Sequence, residues 1–146
     1  MHEDALAMMD VLIANKGLQL KGVVGLFPAN TVDTEDVEVY SDETRSQVLA
    51  KFCMLRQQAE KENDAPYLSQ ADFIAPKESG IPDYLGMFAV ACFGCDEQVK
   101  KHEQSNDDYS KIMVQALADR FVEAFAEAVH KDIRTCLLYT SPSPRD

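Results

Sequence analysis

"GVVGLFPANTVDTEDVEVY", residues 22–40, decides the fold of this chain. Its first part, "GVVGLFPA" (22–29), is a short apolar run rich in β-formers and ended by Pro28, which predicts a buried strand. Its last part, "DVEVY" (36–40), alternates polar and apolar residues, which predicts a strand with one wet face. The acidic segment between them, "NTVDTED", closes the two into a hairpin. Residues 46–57, "SQVLAKFCMLRQ", suit a helix by propensity, but Val48, Ala50, Phe52 and Met54 also fit a strand. Two strands precede them with short connections, so the segment reads as a third strand.

Downstream, residues 58–70 are polar and loop-like. "ADFIAP" (71–76) predicts a short extended piece stopped by proline, and "KESGIP" a turn. "DYLGMFAVACFG" (83–94) is a nearly continuous apolar run with three aromatic residues. It predicts a central strand buried on both faces, with Gly86 at a bulge or a close backbone approach. Helices flank this β-rich middle. Residues 3–15 place Ala5, Met8, Met9, Leu12 and Ile13 at helical spacing, with Gly17 as the stop. Residues 95–106 read as a short helix and loop. A long amphipathic helix follows over about 109–134, with Asp107 or Asp108 as N-cap and Lys131 and Arg134 suited to its C-terminal dipole. The fold class is α/β in an α+β-like arrangement, a twisted and mainly antiparallel sheet flanked by helices. The last residues, 135–146 ("TCLLYTSPSPRD"), break the periodicity and read as a non-native or disordered tail.

The chain has 146 residues, 46% hydrophobic and 27% charged, and a formal net charge of −11. These values are ordinary for a soluble globular domain. No apolar run reaches the ~18 residues of a membrane span, and the acidic start "MHEDALAMMD" is not a signal peptide. The negative charge repels phosphate backbones and anionic lipid, so neither nucleic acid nor membrane is an expected partner. Without a signal peptide, Cys53, Cys92, Cys95 and Cys136 read as free thiols.

Chemistry-bearing motifs are few. "CFGC" (92–95) is a lone Cys-x-x-Cys. A redox role needs a helix N-terminus to lower a thiol pKa, and zinc needs two more ligands where only His102 is near; two ordinary thiols are the plainer reading. His2, His102 and His130 show no obvious partners. No nucleophile elbow, phosphate loop or dinucleotide fingerprint occurs. On the long helix, Val114, Leu117, Ala118, Phe121, Phe125, Ala128 and Val129 form a core stripe. Asp119, Glu123 and Glu127 fall opposite at i, i+4, i+8, where a solvated acidic face is the plain expectation. Ile112, Ala116 and Ala126 share that side, so a second element or a ligand could also pack there.

"GVVGLFPAN" (22–30), "RQQAEK" (56–61), "ADFIAPKESGIPDYLGMFAVACFG" (71–94) and "DDYSKIMVQALADRFVEAFAEAVH" (107–130) resemble the C-terminal reactivation domain of cobalamin-dependent methionine synthase. The resemblance runs from about residue 3 to 134. It implies an α/β domain that binds S-adenosylmethionine and caps the cobalamin-binding module. The enzyme of that family transfers a methyl group from methyltetrahydrofolate to homocysteine. An electron from a flavodoxin-type donor and the methyl group of S-adenosylmethionine restore methylcobalamin from its oxidised form. The family's acidic contact within "EAFAE" lands on Glu123, which the resemblance turns toward a ligand cleft. The family's upstream aspartate and its Arg-Pro-Ala-Pro-Gly-Tyr loop have no counterpart here, nor do the modules for zinc, folate and cobalamin. The resemblance therefore implies a partial domain over residues 1–134, cytoplasmic, part of a methyltransferase and not catalytically competent by itself. The alternative function is a stand-alone acidic interaction module that docks on a partner without a ligand.

Overall fold

The computed structural model describes residues 2–61 and 64–137. Its elements run α1 (His2–Ala14), β1 (Gln19–Val32), β2 (Asp36–Tyr40), β3 (Val48–Cys53), two short 3-10 turns (Gln70–Phe73 and Lys77–Ser79), β4 (Asp83–Phe93), α2 (Cys95–Gln104) and α3 (Asp108–Cys136). The four strands form one sheet in the order β3-β2-β1-β4. The chain divides into two compact units, one drawn from residues 1–23 and 88–146, the other from 24–87.

The unit of residues 24–87 is built on the expected hairpin. β1 and β2 pair antiparallel, with Thr31 opposite Val37 and Val32 opposite Asp36. Asp33 and Thr34 both take the left-handed backbone region, at φ 52° and 68°. Positive φ at successive turn residues matches the right-handed twist of the strands it joins. β2 then pairs antiparallel with β3, Val37 opposite Phe52, with an irregularity between Val39 and Tyr40. Residues 48–53 are thus a strand, because Val39 and Val37 give their apolar side chains a face to join. The core is Ala29, Val37, Val39, Ala71 and Ile74, with Phe27, Phe52, Met54 and Leu85 packed against it. On the wet face Lys51 bridges Asp36 at 2.8 Å.

Three strand expectations need correction. β1 does not stop at Pro28 but runs through it to Val32, and the buried residues are 28–32, not the apolar 22–26. Pro28 lies just before the residues that pair with β2, so its missing N–H breaks no bond to that strand. Residues 71–76 are not extended throughout. Ser69 caps a 3-10 turn over Gln70–Phe73, its hydroxyl accepting from Ala71 N while Asp72 accepts from Ser69 N. β4 is neither central nor doubly buried. It is an edge strand, and none of its residues is fully buried. Phe88 is 42% exposed and Phe93 50%. An apolar run reports what a strand prefers to touch, not what the chain places beside it. Gly86 does mark a close approach: a Cβ there sits 3.2 Å from the Leu26 side chain.

Buried polar residues add to the apolar packing of the core in fastening β1 to the connection after β3. Asn30 Nδ2 donates to the carbonyls of Ala75 and Ile81, both at 3.0 Å. Thr31 Oγ1 donates to Ala71 O at 2.7 Å. Arg56 does the same work at the hairpin tip. It donates to both carboxylate oxygens of Asp72 at 2.7 and 2.8 Å and to the carbonyls of Thr34 and Tyr67. Those bonds from Arg56, with a further one from Ser69 N, hold the Asp72 carboxyl down at about 2. A depressed carboxyl stabilises the fold above its unfolded pKa, and that contribution disappears as pH falls through the folded value. The urea midpoint is therefore expected to fall between about pH 4 and pH 2. Asp72→Asn is expected to make that fall shallower; an unchanged slope refutes the assignment.

In the other unit α1 buries Leu12 and stops through Gly17 N donating to Leu12 O at 2.9 Å. Asp107 caps α3, accepting from Ser110 N at 3.0 Å. Val114 and Ala118 are buried along the expected stripe, Leu117, Phe121, Phe125 and Val129 are half-buried, and Ala128 is exposed. α3 runs two residues past its expected end, to Cys136, and Thr135 Oγ1 donates back to Lys131 O. The rest of the expected tail, 138–146, lies outside the described residues.

Candidate functional site

Glu123 lies on α3, roughly 200° around the helix from Phe121, which faces the core side. Its Oε2 accepts from Arg120 Nη1 at 2.8 Å, and the two side chains are 63% and 76% exposed. Asp119 and Glu127 are exposed on the same side. The structure thus places Glu123 on an open face, held by one ion pair. Exposed pairs at this spacing contribute a few tenths of a kcal/mol.

The Cys-x-x-Cys residues fall on two elements. Cys92 is in β4, Cys95 opens α2, and Gly94 makes the corner between them at φ 93°. All four cysteines are free. Burial pushes both the Cys92 and Cys95 thiols up, away from the thiolate that redox chemistry needs. Among the described residues no three His, Cys, Asp or Glu side chains are placed to hold a metal ion. Two of the three histidines have neighbours: His102 Nδ1 lies 3.6 Å from Asp107, and His130 stacks on Phe88.

Two cavities among the described residues are well formed, and Glu123 lines neither. One, of about 170 Å³, is apolar and lies between Leu12, Ile13, Leu18, Leu20 and Phe121. The other, of about 400 Å³, lies within residues 24–87. Its walls include Arg45 and Lys77, the rings of Tyr40 and Tyr84, and Ile81 and Pro82. Arg45 sits in the turn after β2 with a left-handed backbone, φ 54°. Sequence reading passed over it because "SDETRSQ" looks like any polar connection.

An antiparallel sheet with a long capped helix, carrying an acid face on "EAFAE", defines a class to which a family model also assigns the chain. That model, "Vitamin B12 dependent methionine synthase, activation domain", matches residues 1–142. The chain belongs to this family. It is also similar to a solved structure, "Crystal Structure of the MetH Reactivation Domain bound to AdoHcy". The two are 50% identical, with a TM-score of 0.81 over 91% of this chain. The match spans 41% of that solved chain.

Proposed function

We propose that this chain is part of a reactivation module that binds S-adenosylmethionine and its demethylated product, and that Glu123 supplies a carboxylate to that site. The carrying observation is the 50% identity with a reactivation domain bound to AdoHcy. The match covers 41% of that chain, and in this reading the rest of the ligand site is supplied from outside the matched part. A carboxylate suits the ligand chemically, because it pairs with the ammonium of the amino-acid tail and offsets the sulfonium charge.

In this reading the module caps the cobalamin-binding module of a methionine synthase and receives an electron from a flavodoxin-type donor. Methyl transfer from methyltetrahydrofolate to homocysteine, and the zinc and cobalamin it uses, belong to other modules. This chain's own task is to hold and orient the methyl donor. The reading places it in the cytoplasm, a compartment that suits its four free thiols.

Calorimetric titration of S-adenosylmethionine tests the proposal, using this chain extended to the full span of the related domain. Glu123→Ala is expected to weaken binding about tenfold, the loss of one charge-assisted bond. Unchanged affinity in a folded variant returns Glu123 to a solvated acidic face. No binding by the unsubstituted extended protein sinks the proposal itself.

A further inference from the structure

The cavity beside Arg45 has a one-sided hydrogen-bonding capacity. Arg45 Nη1 donates to Ala29 O at 3.1 Å and to Asn30 Oδ1 at 2.9 Å, and Nη2 donates to Asp83 O at 2.9 Å. The guanidinium also lies over the Tyr40 ring at 5.8 Å and the Tyr84 ring at 5.5 Å. A guanidinium has five N–H groups. Among the described residues, Nε–H and one Nη2–H have no acceptor. Lys77 stands over the Tyr40 ring at 5.5 Å and gives one N–H to Glu38 at 2.7 Å. The neutral groups of the lining are already engaged: the amide N–H groups of Asn30 by two carbonyls, the Tyr84 hydroxyl by Glu43 at 3.0 Å. What remains is a set of cationic donors opposed by two carboxylates, Glu43 in the wall and Glu38 paired with Lys77 behind it.

We propose that this cavity binds a small phosphate monoester, its oxyanion between Arg45 and Lys77 and its organic part against Ile81 and Pro82. Three features favour a tetrahedral oxyanion. The cations come from two separate segments, so they converge on a ligand with oxygens in several directions. Arg45 is already clamped by three acceptors, which leaves Nε–H and one Nη2–H for two oxygens of the ligand while Lys77 meets a third. The clamp and the left-handed backbone at Arg45 also fix the cation in advance, so ordering it on binding costs little. A volume of about 400 Å³ exceeds a bare oxyanion and leaves room for a substituent. This site is independent of the S-adenosylmethionine reading, since Glu123 takes no part in it.

The test uses the whole chain, titrated with glycerol 3-phosphate and with inorganic phosphate while ¹H–¹⁵N spectra are recorded. Shifts are expected to concentrate at residues 40–45 and 77–84, with the ester the tighter of the two. Lys77→Gln is expected to weaken binding about tenfold, and Glu43→Gln to strengthen it several-fold by removing one opposing charge. Both side chains are at the surface, so neither change threatens the fold. Any of three results overturns the proposal: no shift with either probe, equal shifts with acetate at the same concentration, or unchanged affinity in Lys77→Gln.

Discussion

Val37→Asp is expected to abolish cooperative folding of residues 24–87. Val37 is fully buried at 0% exposure, opposite Thr31 on one side and Phe52 on the other. Its neighbours in the core are Ala29, Val39, Ala71 and Ile74, none of which offers a hydrogen bond from its side chain. An unpaired carboxylate there costs several kcal/mol whether it stays charged or takes up a proton. That is a large part of the roughly 5–15 kcal/mol that stabilises an ordinary domain. Val37→Ala, which only leaves a small void, is expected to cost about 1–3 kcal/mol and keep the transition cooperative. Urea unfolding followed by circular dichroism separates them. A cooperative transition in Val37→Asp, with a midpoint near that of Val37→Ala, means the hairpin is not the centre of this core.

Gly94→Ala is expected to cost about 2–4 kcal/mol, from backbone strain and a collision acting together. Gly94 turns β4 into α2 at φ 93°, and a Cβ there lies 2.4 Å from the carbonyl oxygen of Gly17. A backbone oxygen cannot rotate away as a side chain can. Gly80 is the control: its φ is 68°, but a Cβ there meets nothing within 4 Å. Gly80→Ala is therefore expected to cost only the left-handed conformation, about 1 kcal/mol. Equal losses in the two variants show that the contact with Gly17 is relieved by movement. The glycine of "CFGC" is thus explained by chain geometry, with no reference to its thiols.

The hairpin and the long helix are legible because their signals are local, and the third strand because short connections lead to it. Alternation in "DVEVY" and the stripe through Val114 and Phe121 need only the residues themselves. What failed was everything set by partners distant in sequence. β4 looks central because Phe88, Val90 and Phe93 are apolar, and only the strand order reveals it as an edge. "PANTV" (28–32) looks like the frayed end of a strand because Asn30 and Thr31 are polar. They are buried because Ala71, Ala75 and Ile81 bring carbonyls to them from forty and more residues away. The proposal for Glu123 rests on the resemblance; helical spacing gave it no distinction from Asp119 or Glu127. Arg45 was not legible at all, because its importance lies in what Ala29, Asn30 and Asp83 present to it.

The strand order β3-β2-β1-β4 has a consequence in time. β1, β2 and β3 are joined by short turns and zip up within microseconds of meeting. β4 must return across residues 33–82 to reach β1. Closing a loop of about fifty residues costs roughly 3 kcal/mol of chain entropy before any new bond forms. At roughly 5–20 residues per second on the ribosome, the meander is finished seconds before β4 is even made. During that interval the β4-facing edge of β1, with Val23, Val24 and Leu26, waits as an open template, and a nascent chain is most vulnerable to pairing with a stranger there.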